Sequence, residues 1–153
     1  MTFGFGVSAA PNENLTLAAD VDIRPYSNTD IEDVENDTTY SAEYENATQF
    51  RVGLEYLVIG ETTIFPIRLG YHTDPLLYKV YDEKRSWNYI TAGFGMIFGN
   101  VWIDAAYEYG WIKADGTLDH YQDDPSDPLY INGTIDEKQT THNVLVSAIV
   151  HFD

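Results

Sequence analysis

Apolar and polar residues alternate one for one along most of this chain, which is the period of a β-strand and not of a helix. Seven segments carry the alternation. The first, about Thr2–Ala9, sets Phe3, Phe5, Val7 and Ala9 against Gly4, Gly6 and Ser8. The second, about Leu15–Tyr26, sets Leu15, Leu17, Ala19, Val21 and Ile23 against Thr16, Ala18, Asp20, Asp22 and Arg24. The third, about Ala47–Ile59, has Phe50, Val52, Leu54, Tyr56 and Val58 opposite Arg51, Gly53 and Glu55. In the fourth, about Thr63–His72, Phe65, Ile67, Leu69 and Tyr71 oppose Pro66, Arg68 and Gly70. The fifth, about Trp87–Phe98, places Ile90, Ala92, Phe94, Met96 and Phe98 against Tyr89, Thr91, Gly93 and Gly95. The sixth, about Val101–Lys113, opposes Val101, Ile103, Ala105, Tyr107, Tyr109 and Trp111 to Trp102, Asp104, Ala106, Glu108 and Gly110. The seventh, about Thr141–Phe152, opposes Val144, Val146, Ala148, Val150 and Phe152 to Asn143, Leu145, Ser147, Ile149 and His151. Several segments hold nine or more residues, enough for a tilted strand to cross a bilayer. Strands of soluble domains are shorter.

The connections alternate in length. Short ones fall at about Ala10–Asn14, Gly60–Thr62 and Gly99–Asn100, and long ones at about Ser27–Asn46, Thr73–Ser86 and Ala114–Thr140. Short turns on one side and long polar loops on the other are the arrangement of outer-membrane barrels. A two-residue turn at Gly99-Asn100 predicts that Phe98 meets Val101, Met96 meets Ile103 and Gly95 meets Asp104. A turn centred on Glu61-Thr62 puts Glu55 opposite Arg68.

One face of the predicted strands is continuously apolar. The other gathers Asp20, Asp22, Arg24, Arg51, Glu55, Arg68, Asp104 and Glu108. A soluble barrel buries the apolar face. A membrane barrel turns it to lipid and lines its lumen with the charges, which makes these eight residues lumen-lining candidates. Aromatic placement favours the second arrangement. Tyr26, Tyr71, Trp87, Tyr89, Tyr109 and Trp111 lie at strand ends beside the long loops, and Phe65, Phe98, Trp102 and Phe152 lie beside the short turns. Two such bands match interfacial girdles, although aromatics also favour strands in general.

Composition narrows the picture further. At 153 residues the chain fits one domain, 1–153. With 25 acidic against 8 basic residues the net charge is −17, the wrong sign for a nucleic-acid partner. Cysteine is absent, which removes disulfides, thiolate metal sites and a thiol nucleophile. No apolar run approaches the ~18 residues of a membrane helix, but alternating strands hide from that test. Much of the acid lies in the loops Ser27–Asn46 and Ala114–Thr140. The stretch Asp119–Asp127 lacks the order of an EF-hand loop, and a solvated acidic loop is the simpler reading. The four His show no metal-ligand spacing, so neither metal nor cofactor is expected. Asp104 and Glu108 are four residues apart on one strand, ~13 Å, too far for paired-carboxylate glycoside chemistry. No catalytic residue is expected.

Phe50-Arg51-Val52-Gly53-Leu54-Glu55-Tyr56, then Pro66-Ile67-Arg68-Leu69-Gly70-Tyr71, then Tyr89-Ile90-Thr91-Ala92-Gly93-Phe94-Gly95 and a last strand ending in Phe152 resemble the C-terminal half of the long-chain fatty-acid transporter (FadL/TodX-like) family of outer-membrane proteins. The resemblance implies an all-β, antiparallel up-and-down transmembrane β-barrel, with about seven strands here forming half of a fourteen-stranded barrel. The chain opens on an alternating segment with no basic or apolar leader, so an odd number of upstream strands and an export signal are expected outside it. The implied function is passive passage of hydrophobic compounds of the fatty-acid or hydrocarbon type across a Gram-negative outer membrane. The implied partners are membrane lipid, lipopolysaccharide, the hydrophobic solute, and the barrel-assembly machinery, which reads the last strand. The family's last strand usually ends on an aromatic residue; here Asp153 follows Phe152. Two rivals stand beside this reading: a soluble lipocalin-like carrier with the apolar face inward, and a non-transporting barrel serving as adhesin or anchor.

Overall fold

The computed structural model of the chain describes residues 2–27, 30–33, 38–41, 44–80, 83–119 and 132–152. Nine strands are formed among them. β1 (Phe3–Asn12), β2 (Leu15–Arg24), β5 (Ala47–Ile59), β6 (Thr63–Val80), β7 (Glu83–Phe98), β8 (Val101–Asp119) and β9 (Asn132–Val150) make one sheet in the order β1-β2-β5-β6-β7-β8-β9. Every neighbouring pair is antiparallel. β3 (Asp30–Asp33) and β4 (Thr38–Ser41) form a separate two-stranded hairpin. The seven-stranded sheet is open, with β1 and β9 as its edges.

The short turns set the register. Phe98 pairs with Val101, Met96 with Ile103 and Gly95 with Asp104, as a two-residue turn demands. Gly99 takes φ +53°, the left-handed conformation that such a turn requires. At the next turn Gly60 N–H donates to the Thr63 carbonyl at 2.9 Å, and Glu55 pairs with Arg68. At the first, the Asn12 side-chain oxygen accepts from the backbone N–H of Asn14 at 2.9 Å and of Leu15 at 3.0 Å. This local bond is a turn device of Asn, and it lets Pro11 sit beside it on an edge strand.

The long connections differ from expectation. β6 runs on to Val80 and β7 starts at Glu83, so most of Thr73–Ser86 is strand. β8 reaches Asp119 and β9 begins at Asn132, where the two residues pair. The expected loop Ser27–Asn46 holds the β3–β4 hairpin. Backbone N–H and C=O groups need partners wherever they run, and continuing a ladder supplies them. Pairing thus continues through residues whose side chains do not alternate. A register shift between Pro75 and Lys79 breaks the pattern in β6, and like charges oppose one another at Lys113/Lys138 and Asp115/Asp136. At the other extreme β2 stops at Arg24 and β9 at Val150, which leaves Tyr26 and Phe152 outside the strands.

The exposure of the two faces reverses the usual order. Val52 is 51% exposed, Leu54 37%, Ile103 40% and Val146 71%. Along β5 the apolar positions 52, 54, 56 and 58 are exposed, and the alternate positions 51, 53, 55 and 57 are half-buried. A flat sheet leaves both faces equally open, so this inequality means that the sheet curls toward its charged side. The buried apolar side chains among the described residues, Ala47 and Ile112, and the fully enclosed Pro66 all share that inner face. Among the described residues nothing covers the apolar face.

The turn at Gly99 has open space around it, so a side chain there meets no neighbour. Gly99→Val is expected to lower stability through the backbone alone, by about 1–2 kcal/mol. Gly99→Asn should cost far less, because Asn tolerates this conformation. Denaturant unfolding of the two variants checks the difference.

Candidate functional site: a charged band on the inner face

Side chains from β2, β5, β6, β8 and β9 meet on the inner face as a band of acids and guanidiniums. β2 and β5 align Asp20 with Arg51 and Asp22 with Gln49. Arg51 Nε donates to Asp20 Oδ1 and its Nη2 to Asp22 Oδ2, both at 2.6 Å. Gln49 Oε1 accepts from Arg51 Nη1 and from Arg24 Nη2, both at 3.2 Å. Arg24 Nη2 also lies 3.8 Å from Asp22 Oδ2. One planar guanidinium therefore spans two acids set two residues apart, a geometry that Lys cannot reproduce.

The second node is Arg68 of β6. Its Nε donates to Glu55 Oε2 of β5 at 2.6 Å, and its Nη1 to Asp104 Oδ1 of β8 at 2.5 Å. β7 lies between β6 and β8, so the side chain must pass over a neighbouring strand. It can do so because β7 presents Gly93 and Gly95 there: Gly93 pairs with Arg68, and Gly95 pairs with Asp104. A Cβ on Gly95 would fall on Asp104 Oδ1 and 2.9 Å from Pro66 Cγ. All these groups are partly exposed, so each exposed pair contributes at most ~1 kcal/mol.

Glu108 has a different setting. Asn143 Nδ2 donates to its Oε1 at 2.9 Å, and His72 Nε2 lies 3.8 Å from its Oε2. His72 stacks on Tyr89 with ring centres 4.5 Å apart and planes 11° apart. The alternation already put His72 in phase with Arg68 and Gly70, but a search for metal-ligand spacing passes over a side chain used for stacking. Gln49 and Asn143 are likewise members of the band that carry no formal charge to flag them.

The aromatic candidates divide between the faces. Tyr71, Phe98, Tyr109 and Trp111 share the apolar face with Ile90 and Val101. There Tyr71 Oη donates to Asn88 Oδ1 at 2.7 Å, and Tyr109 stacks on Trp111 with centres 5.6 Å apart. Trp87, Tyr89 and Trp102 are on the inner face instead, opposite Asp74, His72 and Ile97. Position along a strand gives height, and only parity gives the side. Trp87 joins Leu76, Tyr78, Val80, Ile112, Ala114, Glu137 and Gln139 around a cavity of about 320 Å³, beyond the charged band on the long arms of β6 to β9. Toward the short turns the inner face is apolar again, with Leu57, Ile64, Pro66, Ile97 and Trp102.

Among the described residues no group of three or more acids, His or Cys is placed to hold a metal ion. The acidic stretch Asp119–Asp127 lies almost wholly outside the described residues. One further charged cluster stands at the long-connection end. Glu45 N–H donates to the Leu77 carbonyl at 2.6 Å, and its carboxylate lies 2.5 Å from Lys84 Nζ and 3.5 Å from Lys79 Nζ. The hydrogen bond from Lys84 holds the Glu45 carboxyl below its ordinary value.

Two outcomes follow from this geometry. Gly95→Val should break the Arg68–Asp104 bond by overpacking and lower stability by about 1–3 kcal/mol in denaturant unfolding. For Glu45 the folded-state pKa is the lower one, so its contribution is present above the unfolded carboxylate value of ~4.3 and is lost as pH falls through the folded value. Hydrogen exchange at the Glu45 amide should accelerate, relative to its intrinsic rate, over that acid range and stay flat above pH ~6.

No protein-family model matches the chain, and neither a curated protein nor a solved structure does.

Proposed function

We propose that this chain is a wall of an outer-membrane β-barrel, half of a fourteen-stranded one, through which hydrophobic compounds pass without a catalytic step. The observation that carries the reading is the reversed exposure of the two faces. The open face is apolar across all seven strands, and the opposite face, less exposed along β5 and β7, holds the ion-paired band. In water this arrangement sets many large apolar side chains against solvent, whereas against lipid the same face is at home. A lipocalin-like carrier needs Val52, Leu54, Ile103 and Val146 enclosed, and their exposure argues against it.

The passage of an apolar solute draws support from the banding of the inner face. Apolar side chains flank the charged middle on both sides, and the cavity at Leu76, Tyr78, Val80 and Trp87 offers a resting place before the band. Three guanidiniums shared among the band's five carboxylates offset most of its charge, which lowers the cost of passing beside it. Movement is down a gradient, and no residue changes its bonding to the solute. The membrane lipid, lipopolysaccharide and solute are the partners, and β9, an edge strand, is the element offered to assembly machinery.

Uptake of a radiolabelled long-chain fatty acid in a deletion strain tests the reading. Uptake is expected to fall on deletion and to return with the gene. Unchanged uptake of fatty acids and hydrocarbons alike would leave a barrel without this transport role. Placement is tested separately by substitutions on the two faces. Val52→Arg is expected to destabilise the folded protein in lipid by about 2–4 kcal/mol, the cost of a cation facing the bilayer midplane. Ser147→Arg, on the inner face beside Asp104, should cost well under half as much. Equal penalties would sink the assignment of faces.

A further inference from the structure

The eight cationic side chains of the chain sort by type and by face. Arg24, Arg51 and Arg68 lie in the inner band, each paired with a carboxylate. Arg85 is tied to Glu83 at 2.8 Å and to the Asp115 carbonyl. The four lysines all stand beyond the aromatic positions of the apolar face, on the long arms of β6 to β9. They form two cross-strand pairs, Lys79 with Lys84 and Lys113 with Lys138. Lys113 is two residues past Trp111 and four past Tyr109, so it projects on the same face as those rings. Lys84 is four residues from Asn88, the partner of Trp111.

Like charges placed directly opposite each other destabilise a sheet. In the first pair the protein answers with Glu45, whose carboxylate reaches both amines. The second pair has the same cross-strand arrangement. Among the described residues no carboxylate comes within ion-pairing distance of Lys113 or Lys138. Asp115 and Asp136 occupy the next rung outward, but Asp115 faces Arg85 at 3.9 Å. Both lysines are exposed.

We infer that Lys113 and Lys138 bind the phosphate of an anionic lipid headgroup, which stands where Glu45 stands in the first pair. The inference rests on the membrane reading above and names a lipid contact for it. Their rung lies ~7 Å along the strand beyond Trp111. Aromatic side chains mark the border of the hydrocarbon, so amines one rung further out reach the headgroup phosphates. The site has no walls, and a chain of net charge −17 repels free anions. A lipid phosphate is instead held at the surface at high local concentration, which favours it over phosphate in solution.

The test uses the whole barrel that contains this chain, reconstituted in phosphatidylcholine bilayers, with part of the lipid replaced by brominated phosphatidylglycerol or brominated phosphatidylcholine. Quenching of Trp111 is read by difference from Trp111→Phe. The anionic lipid is expected to quench at a mole fraction about 5-fold lower or more, given the attraction of each lysine near a charged surface. The double variant Lys113→Gln/Lys138→Gln should lose that preference and keep its quenching by brominated phosphatidylcholine, which shows that it still inserts. Lys113→Arg/Lys138→Arg should retain the preference. Equal quenching by both lipids in the unmodified chain overturns the inference, as does a preference that survives the Gln substitutions. Competition by millimolar inorganic phosphate overturns it in favour of a free anion. If neither brominated lipid quenches any Trp, it is the membrane reading itself that has failed.

Discussion

An apolar face that crosses seven strands, with nothing over it among the described residues, is the constraint on which the rest of the structure depends. Large exposed apolar patches on soluble monomers seldom exceed a few hundred Å². Here Phe5, Val52, Leu69, Phe94 and Val146, each from a different strand, are all exposed on the same side. A packed domain resolves such a face by laying a second layer against it. This fold instead curls away from it, toward the charges. Lipid resolves the same problem without a second layer, provided that every backbone group of the wall is paired along its ladders. The antiparallel ladders from β1 to β9 meet that condition through most of the middle of the sheet, with breaks at the register shifts of β1 and β6 and with the long arms of β6 and β8 paired on one side only.

Curling toward the charges crowds them, and the crowding explains the glycines of the inner face. Gly4 leaves room for Asp22, Gly70 for Thr91 and Gly95 for Asp104. The same openings let Arg68 reach across β7. The ion pairs are too wet to contribute much stability one at a time. Their larger effect is on register. A one-residue slip of β5 against β2 would carry Arg51 to the apolar side and separate it from both Asp20 and Asp22. The slip is thus penalised twice, by lost burial preference and by unpaired charge.

Much of this was legible in the sequence, for reasons that lie in particular residues. Alternation through Phe50–Tyr56 and Tyr89–Met96 gave strands, faces and height, and the Gly99-Asn100 and Glu61-Thr62 turns gave register, including the meeting of Glu55 with Arg68. What stayed hidden needed information from a non-neighbouring strand. Arg68 finds Asp104 two strands away, and only the glycines of β7 permit it. The arms at Leu76–Val80 and Lys113–Asp119 look like loops because a bulge and like-charged pairs spoil the pattern, while backbone pairing continues regardless. Trp87, Tyr89 and Trp102 were placed by height along the strand, which groups them with Tyr71 and Tyr109. Their parity puts them across the sheet from those rings.

Strand direction limits how such a wall can close. With seven strands each antiparallel to the next, β1 and β9 run the same way. Joining them directly would make one parallel seam in an otherwise antiparallel wall. Two copies arranged head to tail about the barrel axis would make two such seams, since rotation about that axis preserves strand direction. A wall that is antiparallel throughout therefore takes an odd number of further strands between β9 and β1. Seven further strands are one such number, and so is any other odd count.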